Sequence, residues 1–140
     1  MTEIPGLSGI LETALYARDL EAAREFYSDV LGLPVLVEVA GRHVFFTCHE
    51  AVLLVFNPEA TKVPSTNPAL PVPPHGATGQ GHVCFRASRT ELQRWCAHLE
   101  ANGIAIEADF EWPSGARSIY VRDPAGNSVE FAEPKLWGFS

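Results

Sequence analysis

The sequence predicts an α+β fold in which one strand–helix–three-strand unit occurs twice, and three observations predict it. Short stretches of alternating apolar and polar residues recur along the chain, as half-buried strands require. Two longer stretches carry helical spacing and recognisable caps. The order of these elements then starts again after 70 residues: sliding the chain on itself places Glu12 on His82, Leu15 on Phe85, Ala17 on Ala87, Glu21 on Glu91 and Arg24 on Arg94. Identity between the halves is thin, so it is the pattern that repeats.

In the first unit, Ile10 to Ala17 (ILETALYA) alternates as a strand and runs into Asp19, a good N-cap. A helix follows from about Leu20 to Leu31, with Leu20, Ala23, Phe26, Tyr27, Val30 and Leu31 as its apolar stripe; Gly32 and Pro34 stop it. Val35 to Val39, His43 to Cys48 and Ala51 to Phe56 are the next three strands. In the second unit, Gly81 to Ala87 (GHVCFRA) is a strand, and Ser88 opens a capping box with Glu91. The helix after it buries Leu92, Trp95, Cys96 and Leu99 and ends at Asn102-Gly103. Ile104 to Phe110, Arg117 to Val121 and Asn127 to Ala132 complete the set, with Asp-Pro-Ala-Gly-Asn turning the last hairpin.

Between the halves, Asn57 to Gln80 contains six prolines and reads as an extended connector that cannot enter a central sheet. It is either a surface strap or a crossover that lets the units lie side by side, within one subunit or across a dimer. Residues 1–140 are read as one domain: unit one over about 8–57, the connector over 58–80, unit two over about 81–134 and a tail over 135–140. Trp137 and Phe139 are expected to pack that tail against the body or a partner subunit.

Hydrophobic residues make up 46% of the chain and charged residues 19%, a globular composition. A net charge of −7 works against nucleic acid or an anionic membrane as partner, while a cationic ligand would be tolerated. No apolar run approaches the roughly 20 residues of a spanning helix, and MTEIPGLSG is no signal peptide. Three cysteines without paired spacing suit reduced thiols in a cytoplasmic protein. No Ser-His-Asp arrangement, phosphate-binding glycine loop or paired CxxC motif is present.

Chemistry enters through strand parity. Leu15 and Ala17 should face the helix, leaving Glu12, Ala14 and Tyr16 on the other side; Val83 and Phe85 should do the same, leaving His82, Cys84 and Arg86 opposite. In SIYVRDPAGNSVEF the face opposite the apolar one carries Ser118, Tyr120 and Glu130. A buried unpaired carboxylate costs several kcal/mol. Two carboxylates and an imidazole facing one cavity therefore need a common partner, and a divalent cation is the economical one.

LYARDLEAAREFYSDVLGLPV, GHVCF and SIYVRDPAGNSVEF resemble the opening strand and helix, the fifth strand and the closing hairpin of the vicinal oxygen chelate superfamily. That group holds glyoxalase I, extradiol dioxygenases, fosfomycin-resistance and bleomycin-binding proteins. The resemblance covers nearly the whole chain and implies a glyoxalase-like domain whose two modules curl into a curved mixed sheet around a cavity, helices outside. It places metal ligands at Glu12, His82 and Glu130. The fourth family position falls on Leu54 or its neighbour, where no ligand is available, which weakens a glyoxalase I assignment. The carboxylate at Glu12 weakens an extradiol one. One histidine and two carboxylates suit Zn²⁺, Mn²⁺ or Fe²⁺ and leave positions open for substrate.

The resemblance thus implies a metal-dependent enzyme in which the ion chelates vicinal oxygens of a small substrate and stabilises an enolate or alkoxide. Tyr120 and Glu12 are the candidate catalytic groups, Glu12 being a ligand, a general base or a rim carboxylate paired with Arg86 or Arg122. Ser118, Tyr120, Arg86, Leu54 and Phe56 are expected to line the substrate cavity, with Trp112 shaping it. Cys84 is read as a small packing residue, His43 as a proton-transfer group or a plain strand residue, and His75 as part of a loop over the mouth. His49 and His98 are read as surface residues. The competing class is a metal-free binder of cationic drugs. A homodimer is expected from the resemblance.

Overall fold

A computed structural model describes residues 3–140. Strand β1 (Glu12–Tyr16) leads into helix α1 (Leu20–Arg24), whose N-cap Asp19 accepts from the Ala22 amide at 3.0 Å. Strands β2 (Val35–Val39), β3 (His43–Cys48) and β4 (Ala51–Phe56) follow, and a short helix α2 (Pro58–Thr61) opens the connector. Then β5 (His82–Arg86), helix α3 (Arg89–Ala101), β6 (Ala108–Glu111), β7 (Arg117–Arg122) and β8 (Ser128–Ala132) repeat the order. Each half forms its own four-stranded mixed sheet, ordered β1-β4-β3-β2 and β5-β8-β7-β6. In each, the first strand pairs parallel with the last and the remaining pairs are antiparallel. The α+β fold of two βαβββ units is thus the one the residues predict.

One hydrophobic core joins the halves. Leu15, Phe26, Val44 and Val55 meet Leu92, Leu99, Ile119 and Phe131 where the helix-facing sides of the two sheets converge. Burial of this apolar surface drives the association. Parity holds as predicted: Leu15, Ala17, Ile119, Val121, Val129 and Phe131 are buried, and Val83 and Phe85 pack on the same core. The opposite faces are left for chemistry.

The closing hairpin also fastens the halves. Asp123 accepts hydrogen bonds from the Tyr27 hydroxyl (2.7 Å), the amides of Ala125 and Asn127, and Asn127 Nδ2. Asn127 in turn accepts from the Gly81 amide and donates to the Tyr16 carbonyl. β1 and β5 touch here so closely that a Cβ on Gly81 would lie 3.1 Å from Asn127 Oδ1 and 3.2 Å from Leu15. Gly126, at φ +89°, lets the turn close.

The structure departs from the predicted elements in four places. The first helix is α-helical only to Arg24 and then widens into a π-turn over Glu25–Val30, with the Leu31 amide bonding Phe26 O at 3.0 Å. The extra residue seats adjacent Phe26 and Tyr27 in the core together, edge to face at 4.9 Å. β6 begins four residues later than expected, because the Ile104 amide closes α3 by bonding Leu99 O. The connector is not extended throughout: Asn57 caps α2 with proline at its first turn, a helix start signal that a proline-rich stretch masks. The tail forms a single 3₁₀ turn, Pro134–Trp137, but Trp137 and Phe139 are 75% and 63% exposed, so they do not pack against the body. No helix among the described residues is long and apolar enough to cross a membrane.

Candidate metal centre and cavity

The chemistry-bearing faces form two separate clusters. On the second sheet, register sets Cys84 opposite Glu130 and Tyr120 opposite Glu130, with His82 opposite Ser128. Alternation then turns His82, Cys84, Ser118, Tyr120 and Glu130 to one side. Glu130 is buried, at 6% exposure. Its Oε2 accepts from Ser118 Oγ at 2.7 Å, and Ser118 accepts from Trp112 Nε1 at 2.8 Å. Its Oε1 lies 3.3 Å from His82 Nε2.

The His82 contact is chemically specific. His82 Nδ1 lies 3.1 Å from the Ser128 carbonyl, which can only accept, so Nδ1 carries the proton. In a neutral ring Nε2 is then a bare lone pair facing a carboxylate oxygen. Two acceptors at that distance need a cation between or beside them, either a proton on the ring or a metal ion. Fixing the ring through its other nitrogen on a backbone carbonyl is the usual second support of a metal-bound histidine. The pair thus presents two donors of a kind that divalent ions take, one imidazole nitrogen and one carboxylate oxygen, with the His82 side chain half open to solvent.

Tyr120 stacks parallel to Phe110, ring centres 5.8 Å apart, and lies over His82 at 6.3 Å. Burial and its hydrogen bond with Glu130 push the phenol up to about 12, so it remains a neutral donor throughout the physiological range. Cys84 is open to solvent as a residue. Burial of the thiol, and then the Glu130 charge, push it up to about 12. With Cys48 and Cys96 replaced by alanine, iodoacetamide at pH 8 should therefore alkylate Cys84 at least about tenfold more slowly than free cysteine. Glu130→Gln should speed the reaction; alkylation at the free-thiol rate would show that the carboxylate does not govern this thiol. Arg86, on the same strand, donates to the Ser140 carbonyl at 2.8 Å, so the tail lies over this face.

Glu12, Leu54 and Phe56 belong to the other cluster. They line a cavity of about 690 Å³ between the first sheet and the connector, together with Arg42, His43 and Phe45. His75 of the connector closes one side, its Nδ1 2.7 Å from the Tyr16 hydroxyl. The expectation of a loop over the mouth therefore describes His75 in place. Phe45 and Arg42 were not anticipated; Phe45 was legible by parity, two residues from His43. His98 is at the surface as read, and its Nε2–H also donates to Val30 O at 2.7 Å, tying α3 to the first helix. His49 is exposed in a left-handed turn, φ 53°. The three cysteines are free.

Within one chain, Glu12 does not join His82 and Glu130. Among the described residues no three His, Cys, Asp or Glu side chains come together closely enough to hold a metal ion.

Two four-stranded sheets of this topology, each with one helix-backed and one polar face, define a paired βαβββ class of protein. Residues 9–131 match the Glyoxalase/Bleomycin resistance protein/Dioxygenase superfamily, and the chain belongs to that family. It is similar to a crystal structure of lactoylglutathione lyase from Agrobacterium tumefaciens, at 48% identity and a TM-score of 0.89, covering 96% of this chain and 100% of that one. A glyoxalase/bleomycin resistance protein/dioxygenase from Nocardioides aligns at 26% identity and a TM-score of 0.71, over 93% of this chain and 85% of that one. An integron cassette protein from the mobile metagenome of the Halifax Harbour sewage outfall shares the fold at 21% identity and a TM-score of 0.71, over 91% and 99%.

Proposed function

We propose that this chain is a metal-dependent enzyme of the glyoxalase type whose metal centre is completed by a second copy of itself. The observation that carries the reading is the His82–Glu130 pair. Its facing lone pair and carboxylate lie 3.3 Å apart, each oriented by a second hydrogen bond, with the His82 side half open to solvent and Glu130 buried. Glu12 is the third donor, contributed by the first sheet of the partner, because within one chain it lies over the other sheet. Exposed Ile4, Leu7, Ile10 and Leu11 just before β1 and the exposed rings of Trp137 and Phe139 supply apolar surface for such a homodimer.

A divalent ion at these residues, Zn²⁺, Mn²⁺ or Fe²⁺, would supply Lewis acidity to vicinal oxygens of a small substrate, lowering the energy of an enolate or alkoxide. The chain's own groups do the rest. Ser118 holds Glu130 in one rotamer by donating to Oε2, which leaves Oε1 for the ion. Tyr120, kept as a phenol, would turn its one O–H from Glu130 toward developing negative charge on the substrate. Glu12, exposed on β1, either ligates or takes the proton from the hydroxyl-bearing carbon next to the carbonyl. The 48% identity to a protein named lactoylglutathione lyase supports a substrate of the 2-hydroxyacyl class, since a lactoyl group carries hydroxyl and carbonyl oxygens on adjacent carbons.

A second reading, a non-enzymatic binder of cationic small molecules, is favoured by one feature: the aromatic cavity carries a single carboxylate, Glu12, and no three donors in it come close enough to hold a metal ion among the described residues. Elemental analysis of tag-free protein separates the two. Close to one Zn, Mn or Fe per chain is expected, lost in folded His82→Ala and Glu130→Ala variants. Wild type that stays empty after incubation with all three ions would remove the enzyme reading. Tight binding of a cation that survives chelation would then establish the binder.

A further inference from the structure

The cavity over the first sheet has a wall of rings. His43 stacks flat on Phe45, centres 4.0 Å apart at 11°. Phe56 meets Phe45 edge to face at 5.3 Å, and His75 of the connector at 4.6 Å. Such faces and edges favour a flat conjugated guest over a branched alkyl one, because the ring quadrupoles pair by offset or edge contact.

One polar feature inside this wall has no partner. His43 Nδ1 is the one buried side-chain nitrogen or oxygen among the described residues that makes no hydrogen bond. A proton on Nδ1 would be a buried donor with nothing to receive it, which is costlier than an idle lone pair. The proton therefore belongs on Nε2, which is not walled off and bonds nothing among the described residues. Burial, and after it the Arg42 charge, hold the ring's pKa below the usual imidazole range, so it stays neutral. His43 thus offers one fixed N–H, set on an aromatic stack.

We propose that this cavity is a recognition slot for a flat, conjugated group bearing a carbonyl oxygen, and that His43 Nε2–H is the donor that selects it. Pockets of this kind are mostly apolar with a few placed polar atoms that set orientation. Glu12 lines the same cavity. Resting on the proposed function, the slot would then hold an aryl or other conjugated substituent of the substrate beside the metal centre. The substrate class becomes an aryl-substituted 2-oxo or 2-hydroxyacyl compound in preference to a small alkyl one.

The test uses chelator-treated protein, so that its outcome does not depend on the metal centre. Two flat probes, 2-acetylnaphthalene and 2-ethylnaphthalene, differ essentially in the carbonyl oxygen, and their affinities are measured by ligand-detected NMR titration. Wild type should bind the ketone about tenfold more tightly than the hydrocarbon, the worth of one net hydrogen bond. His43→Phe keeps the stack on Phe45 but removes the donor. It should bring the two affinities together while leaving the hydrocarbon's unchanged. A preference that persists in His43→Phe overturns the assignment of the donor, and equal or absent binding of both probes in wild type overturns the slot. Independently of any variant, the ¹⁵N–¹H spectrum of the His43 ring in wild type should show the Nε2–H tautomer; an Nδ1–H or doubly protonated ring also overturns it.

Discussion

Glu12→Ala and His82→Ala proteins, each empty of metal alone, should regain about a quarter of the wild-type metal when denatured together and refolded as a mixture. The number follows from symmetry. Random pairing makes half of the dimers mixed, and each mixed dimer joins the intact Glu12 of one chain to the intact His82 of the other at one of its two sites. The second site of the same dimer carries both changes. The expectation rests on the separation of the clusters: Glu12 lines the first-sheet cavity, whereas His82 pairs with Glu130 on the second sheet. Elemental analysis of the refolded dimer fraction reads the result. No recovery, with both single variants empty, would mean that one chain brings all three donors together on its own. Full metal in Glu12→Ala alone would remove Glu12 from the ligand set and leave it the base.

The second large effect falls far from any substrate. Asp123→Ala should destabilise the protein by about 4 kcal/mol in chemical denaturation, since it removes an acceptor serving four donors in a buried setting. The Tyr27 hydroxyl, fully buried, would be left with nothing to donate to. The Asn127 side chain, which links the hairpin to Tyr16 and Gly81, would lose its anchor, and the Asn127 amide its acceptor. A loss under about 1 kcal/mol would show that water or repacking replaces the carboxylate. Alkaline pH probes the same network. Burial first, then the Asp123 charge, raise the Tyr27 phenol far above its ordinary 10.0. A group whose folded value is raised contributes stability that is full below its unfolded value and lost as pH climbs beyond it. Stability should therefore fall above about pH 10, where the unfolded chain ionises Tyr27. In Tyr27→Phe that part of the slope should disappear; an unchanged slope would assign it to other groups.

Much of the fold was legible because it is written in local periods. Alternation located the strands β2, β3 and β4 to the residue, and the Ser88–Glu91 capping box opened α3 where it was read. Parity alone separated Ile119, Val121, Val129 and Phe131 from Ser118, Tyr120 and Glu130, the division on which the candidate site depends. The widened turn after Arg24 was not legible in this way. Its cause is tertiary: two adjacent rings had to enter one core and one of them had to reach Asp123, a residue 96 positions away. β6 was overestimated because Ile104 and Ile106 do pack the core, as their alternation says, while the Ile104 backbone is already spent on the end of α3.

The residues by themselves determined the doubled βαβββ pattern, the polar face of each sheet, and the identity of the groups standing on it. Side-chain alternation and helical spacing are properties of neighbours in the chain, and they need no distant partner to be read. Only the tertiary structure decided the company those groups keep. It set His82 Nε2 against Glu130 with its proton drawn to Ser128, and it left Glu12 on a separate sheet behind a connector folded down through Tyr16 and His75. Distances between side chains many residues apart depend on how two sheets share one core, and that packing is a property of the whole chain.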